Sequence, residues 1–142
     1  MKITRLFSVA AIMVAALALT SCNNKNYHIN GNITEAQDSM LYLENISLNG
    51  PVKVDSVKLG EDGAFAFDEA AMDSVTPEFY RLRIANQTIN LSIDSTETVK
   101  VKAAYPQMSF KYEVEGSENC NKIKELSLKQ MTLQSNINGL VK

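Results

Sequence analysis

The stretch Val52-Lys53-Val54-Asp55-Ser56-Val57-Lys58-Leu59-Gly60-Glu61-Asp62-Gly63-Ala64-Phe65-Ala66-Phe67 decides the fold. Apolar and polar residues alternate on both sides of Gly60-Glu61-Asp62-Gly63, which is the pattern of half-buried strands. The alternation changes phase at Asp55-Ser56, which predicts a β-bulge there. Gly, Asp and Glu in the middle supply turn chemistry, and Phe65 and Phe67 point the same way, so the stretch predicts a β-hairpin.

The same period extends in both directions. Upstream, Tyr27, Ile29, Gly31 and Ile33 share a face opposite His28, Asn30 and Asn32, and Met40 to Leu43 forms a strand that is apolar on both faces. Downstream, Tyr80, Leu82 and Ile84 alternate with Arg81 and Arg83, and Ile89, Leu91 and Ile93 alternate with Asn90 and Ser92. Val99 and Val101 alternate with Lys100 and Lys102, and Phe110, Tyr112 and Val114 with Lys111, Glu113 and Glu115. About eight short strands, without helical crossovers between them, predict a mainly β fold, an antiparallel β-sandwich or partly open barrel over residues 27–116. One amphipathic helix follows over 117–142, with Ser117 as N-cap, Glu118 at the positive end of the dipole, and Ile123, Leu126, Leu133, Ile137 and Leu140 at helical spacing. That stripe needs a covering surface, supplied by the sandwich or by a further domain.

The N-terminus has the layout of a signal peptide over residues 1–21. Lys2 and Arg5 precede an apolar run from Val9 to Leu19, shorter than the roughly 20 residues of a bilayer crossing. Leu19-Thr20-Ser21-Cys22 resembles the lipobox of bacterial lipoproteins, which implies cleavage between Ser21 and Cys22 and a diacylglycerol on the Cys22 thiol. Residues 22–26 are then a lipidated tether. Two or three acyl chains on one residue hold a protein on a membrane almost permanently, because buried methylenes contribute about 0.8 kcal/mol each. The plainer alternative is an ordinary signal peptide with a cysteine at its cleavage site. Charge, apolar run and box in sequence favour the lipoprotein.

Cleavage would leave 121 of the 142 residues, enough for one domain. Without Lys2 and Arg5, 12 of the 14 cations remain against 16 carboxylates, a net charge of −4. Those cations are scattered, which argues against a nucleic-acid partner. With Cys22 acylated, Cys120 is the remaining thiol, so no intramolecular disulfide is expected in an oxidising compartment.

The candidates for chemistry each have a plainer reading. His28 is the single histidine, on the polar face of the first strand, and reads as a solvated side chain, since a metal site needs three or four ligands and a triad needs a nucleophile beside its base. Cys120, in the first helical turn, could have a lowered pKa but reads better as a small buried residue. Glu61-Asp62 and Asp68-Glu69 lack the ligand spacing of a calcium loop and read as solvated turns. No catalytic residue, cofactor or metal ligand is expected. Asp38-Ser39-Met40, Asp55-Ser56-Val57, Asp73-Ser74-Val75 and Asp94-Ser95-Thr96 look like a short bacterial O-glycosylation acceptor motif, with Ser39, Ser56, Ser74 and Ser95 as acceptors. Asp-Ser is equally a turn dipeptide.

Several stretches resemble the domain of unknown function at the N-terminus of thioredoxin-like lipoproteins in Bacteroidota. They are Ile29-Asn30-Gly31-Asn32-Ile33, Met40-Leu41-Tyr42-Leu43, Val54-Asp55-Ser56-Val57 leading to Asp62-Gly63-Ala64-Phe65-Ala66-Phe67, and Val114-Glu115-Gly116-Ser117-Glu118-Asn119. The resemblance implies a sandwich, a helix and then a thioredoxin-like domain with Trp-Cys-x-x-Cys. This sequence has no Trp and no Cys-x-x-Cys, so that redox activity carries over to none of its residues. The expectation is a non-enzymatic, lipid-anchored spacer or protein-interaction module of the cell envelope, facing the periplasm and accessory to thiol-disulfide machinery. Its partners would be the membrane, through Cys22, and an envelope protein or a further domain, through the terminal helix. The alternatives are the N-terminal part of a membrane-tethered oxidoreductase and a stand-alone ligand-binding or adhesion lipoprotein.

Overall fold

The computed structural model describes residues 25–72 and 76–141. Eight strands run in chain order: β1 (Asn26–Thr34), β2 (Met40–Ser47), β3 (Gly50–Lys58), β4 (Ala64–Ala70), β5 (Glu78–Ile84), β6 (Gln87–Ile93), β7 (Thr98–Ala104) and β8 (Tyr112–Glu115). They form two four-stranded sheets, ordered β4-β1-β7-β8 and β3-β2-β5-β6, with no closed barrel. Among the described residues a single α-helix, α1 (Glu118–Leu140), follows. The fold is therefore the mainly β sandwich with one C-terminal helix that the alternation predicts.

The period-two residues make the core. Tyr27, Ile29 and Ile33 from β1 and Val99 and Val101 from β7 meet Leu41, Leu43, Tyr80, Leu82, Ile89 and Leu91 from the opposite sheet, all buried. The Tyr27 and Tyr80 rings lie 4.9 Å apart across the two layers. Burying aromatic and branched side chains from both sheets contributes about 1.5 to 3 kcal/mol per residue.

Three features differ from the sequence reading. First, β1 pairs with β7 in parallel, Ile29 opposite Val99 and Gly31 opposite Val101, while the other pairs are antiparallel. The β5–β6 hairpin reverses the chain inside the opposite sheet, so β7 re-enters beside β1 in the same direction. Gly31 permits the pairing, since its φ is +150° and a Cβ there would stand 1.7 Å from the Val101 carbonyl oxygen.

Second, β3 and β4 do not form a hairpin, because they belong to different sheets. The turn between them arches over the end of the sandwich. Leu59 is buried and its N–H donates to the Ser39 carbonyl, while Gly63 accepts from the Ile33 N–H at 2.9 Å. A hairpin and an arch have the same alternating flanks and the same turn residues, and differ only in which strand each flank pairs with.

Third, the last strand is shorter than Phe110 to Glu115. Pro106 helps set a 3-10 turn over Tyr105–Gln107, Met108 plugs the core, and Phe110 is exposed before β8 begins at Tyr112. The bulge is present one residue from its predicted place: Leu43 faces Asp55 and Glu44 faces Lys53, leaving Val54 as the extra residue. As an edge strand β3 buries little, and Val52 is 56% exposed. Pro51, Lys53 and the bulge make it a poor template for further pairing.

Ser117 caps α1 as predicted, its hydroxyl accepting from the Cys120 N–H at 3.2 Å. The first turns of α1 lie on β6 and β8. Every described residue from 129 to 141 is exposed, so the sandwich borders the apolar stripe at Ile123 and Leu126 and leaves it uncovered from Leu133 onward. Among the described residues no helix is long and apolar enough to cross a membrane.

Candidate functional site

The outer face of the second sheet carries the densest polar arrangement of the described residues. Register sets Tyr42 opposite Arg83 and Glu44 opposite Arg81 on β2 and β5. Both guanidinium groups converge on one carboxylate: Arg83 Nε donates to Glu44 Oε1 at 2.9 Å, and Arg81 Nε donates to Glu44 Oε2. The Glu44 side chain is 9% exposed. Burial pushes its carboxyl up, but the two hydrogen bonds and two positive charges outweigh that and hold it below the usual carboxylate range. Arg83 also stacks over Tyr42, 4.6 Å from the ring centroid, and Lys53 stands 5.6 Å from the same ring. The clamp ties β2 to β5 beside the bulge and leaves a cationic rim.

Next to this rim is a groove of about 420 Å³ between the sheet and the first turns of α1, lined among others by Ile46, Pro51, Phe79, Arg81, Leu126 and Gln130. Phe79 is 52% exposed although it lies in a strand. An apolar floor with an Arg and amide rim has the composition of a protein-contact surface.

The root of α1 is fixed to β6, the edge strand beside this groove. The Cys120 Sγ lies 3.2 Å from the Ser92 carbonyl oxygen, and the Ser117 hydroxyl also reaches Glu97, whose carboxylate accepts from the Asp94 N–H at 2.9 Å. Burial pushes the Cys120 thiol up, against smaller opposing effects of the Ser117 and Ser92 hydrogen bonds. The dipole of the first turn does not win, and the buried-residue reading fits this thiol.

The other predicted residues are dispersed. Ser21, Cys22 and Ser74 lie outside the described residues. Ser39 is half-buried in a backbone-bonded turn, Ser56 lies within β3 with its N–H on Asp55 Oδ1, and Ser95 is exposed in the β6–β7 turn at φ 54°. Of these three, Ser95 alone is exposed. His28 stands 3.6 Å from Asp68, half-exposed. Asp62 accepts from the Ala64 N–H, a turn role. Glu69 on β4 lies beside Asp55 on β3; burial, then Asp55, pushes its carboxyl up.

The clamp and the groove were not identified from sequence. Arg81 and Arg83 read as the wet face of a strand, and only the register shows that Glu44 opposes them. Phe79 carries the one available signal, an aromatic residue in phase with two arginines.

Fold and face together define a two-sheet β-sandwich domain with a helix rooted on one edge. A protein-family model described as Domain of unknown function (DUF4369) matches residues 27–123, and the chain belongs to that family. The match runs from the first core tyrosine to the helical turn beside the groove. A search of curated proteins found no match to the chain.

Proposed function

We propose that this protein is a lipid-anchored, non-enzymatic β domain of the bacterial cell envelope, held to the membrane through Cys22 and working as a spacer and protein-interaction module beside thiol-disulfide machinery. The observation that carries the reading is the path of α1. It is rooted by Ser117 and Cys120, then runs exposed from residue 129 to 141. The 12 helical residues from 129 to Leu140 span about 18 Å, which separates a membrane-proximal sandwich from whatever the helix meets. The Phe79 groove beside its root is the surface offered to an envelope protein. The redox association rests on the resemblance to sandwich domains that precede thioredoxin-like domains, and the localisation on the lipobox.

The test is capture of envelope proteins by the anchored chain, with Phe79→Ser and a truncation after Leu128 as variants. The reading expects a captured protein whose recovery falls with Phe79→Ser while the melting temperature of the sandwich is unchanged. Equal recovery by both variants and the parent chain would remove the interaction role.

A further inference from the structure

Four of the six glycines follow an asparagine or an aspartate, as Asn30-Gly31, Asn49-Gly50, Asp62-Gly63 and Asn138-Gly139. In such a pair the glycine nitrogen, with no side chain to shield it, can close on the carbonyl carbon of the preceding side chain. The sequence does not separate the three Asn-Gly pairs, but the fold does. We propose that Asn49 is a site of spontaneous deamidation, at which the β2–β3 turn acquires a carboxylate and a rearranged backbone link without an enzyme.

Ring closure needs a backbone that can turn the glycine nitrogen toward the asparagine Cγ, and a side chain free to meet it. Gly31 lies inside β1 opposite both Phe65 and Val101, so two ladders hold the Asn30 link. Asn138 lies in α1, where its Oδ1 accepts from Gln134 Nε2 at 3.1 Å and the helical backbone fixes the next peptide. Asp62 is tied as well, its Oδ1 accepting from the Ala64 N–H at 3.0 Å while the Gly63 N–H donates to the Gly60 carbonyl. Asn49 lacks these restraints. It is exposed, its side-chain amide has no hydrogen-bond partner among the described residues, and open space surrounds Gly50, which stands at φ +106°. The Ser47 hydroxyl contacts the Asn49 N–H at 3.2 Å and the Gly50 carbonyl at 2.8 Å, on either side of the reacting link. Ser47 and Gly50 are the last pair of the β2–β3 ladder and β3 is an edge strand, so opening this end breaks few contacts.

The Gly50 nitrogen attacks Asn49 Cγ and gives up its proton, the Cγ–Nδ2 bond breaks, and ammonia leaves behind a cyclic succinimide. Water then opens the ring at either carbonyl, giving aspartate or isoaspartate, and no oxidant or other co-reactant enters. In isoaspartate the main chain runs through Cγ, which adds a methylene to a loop closed by the Ser47–Gly50 pair, and the turn loses its geometry. Ile46 and Pro51, on the wall of the groove, are the next pair along the ladder.

The test holds the full chain, folded and urea-unfolded, in mildly alkaline buffer made with heavy-oxygen water. Peptides are then mapped by mass spectrometry, with fragmentation that separates aspartate from isoaspartate. Heavy oxygen marks only the product formed during the incubation. In the folded chain Asn49 should react at least about tenfold faster than Asn30 and Asn138, with isoaspartate in excess of aspartate. In the unfolded chain the three sites should converge to within about threefold, since the fold no longer restrains two of them. Asn49→Ser should remove the folded-state product without raising the yield at Asn30 or Asn138. Three results would overturn the proposal: Asn30 or Asn138 keeping pace with Asn49 in the folded chain, no labelled product at Asn49 while the unfolded chain reacts, or aspartate alone, which marks direct hydrolysis of the amide without ring closure.

Discussion

The Cys120 thiol contacts the Ser92 carbonyl oxygen at 3.2 Å, and through it the first turn of α1 is fixed to β6. The contact is buried, with Cys120 fully inaccessible. Iodoacetamide should therefore label the native protein at least about 100-fold more slowly than the urea-unfolded chain at neutral pH, since reaction waits for opening. Similar rates in the two states would show an accessible thiol.

Glu44 gives a sign to the acid limb. Its folded pKa is lowered by Arg81 and Arg83, so its contribution is present above the unfolded value of about 4.3 and is lost as pH falls through the folded value. Glu44→Gln should cost about 1 to 2 kcal/mol at pH 7, discounted because both arginines are partly exposed. Urea titrations at pH 7 and pH 3 should show the difference shrinking at the lower pH.

Glu69 behaves the other way. Its pKa is raised by burial and by Asp55, so its contribution is present below the unfolded value and is lost as pH rises through the folded one. Glu69→Gln should raise stability by about 0.5 kcal/mol at pH 7 and change little at pH 3. Calorimetric melts at both pH values test this.

Tyr112 and Tyr27 shape the alkaline limb. Burial pushes the Tyr112 phenol up to about 12 and raises Tyr27 further. Both contributions are complete below the unfolded pKa of about 10 and disappear as pH climbs toward the folded values. Tyr112→Phe should flatten the loss of stability between about pH 10 and 12, read by circular dichroism.

The parallel β1–β7 pair rests on Gly31. Gly31→Ala should destabilise by about 3 kcal/mol, since its Cβ would overlap the Val101 carbonyl. Gly139, in α1 with open space around it, is the control: Gly139→Ala should be neutral or gain up to about 1 kcal/mol.

How much was legible from sequence follows from the range of each signal. Alternation in β1, β5 and β6 is local, and it identified Tyr27, Ile29, Leu82 and Leu91 as inward-facing. The cap at Ser117 is equally local. Pairing between strands is not: β3 and β4 read as a hairpin because alternation records faces and carries no record of partners. The Glu44 clamp was hidden for the same reason, since 37 residues separate Glu44 from Arg81. The apolar stripe of α1 is legible in the spacing of Ile123, Leu126, Leu133, Ile137 and Leu140, but what covers it depends on the path of the helix after Leu128.

The anchor at Cys22 is the claim on which the proposed role stands most directly. The measurement is metabolic palmitate labelling with detergent-phase partitioning of the parent chain and of Cys22→Ser. The account predicts a labelled, detergent-phase parent and an unlabelled variant in the aqueous phase. A Cys22→Ser chain that still incorporates palmitate and stays in the detergent phase would contradict it.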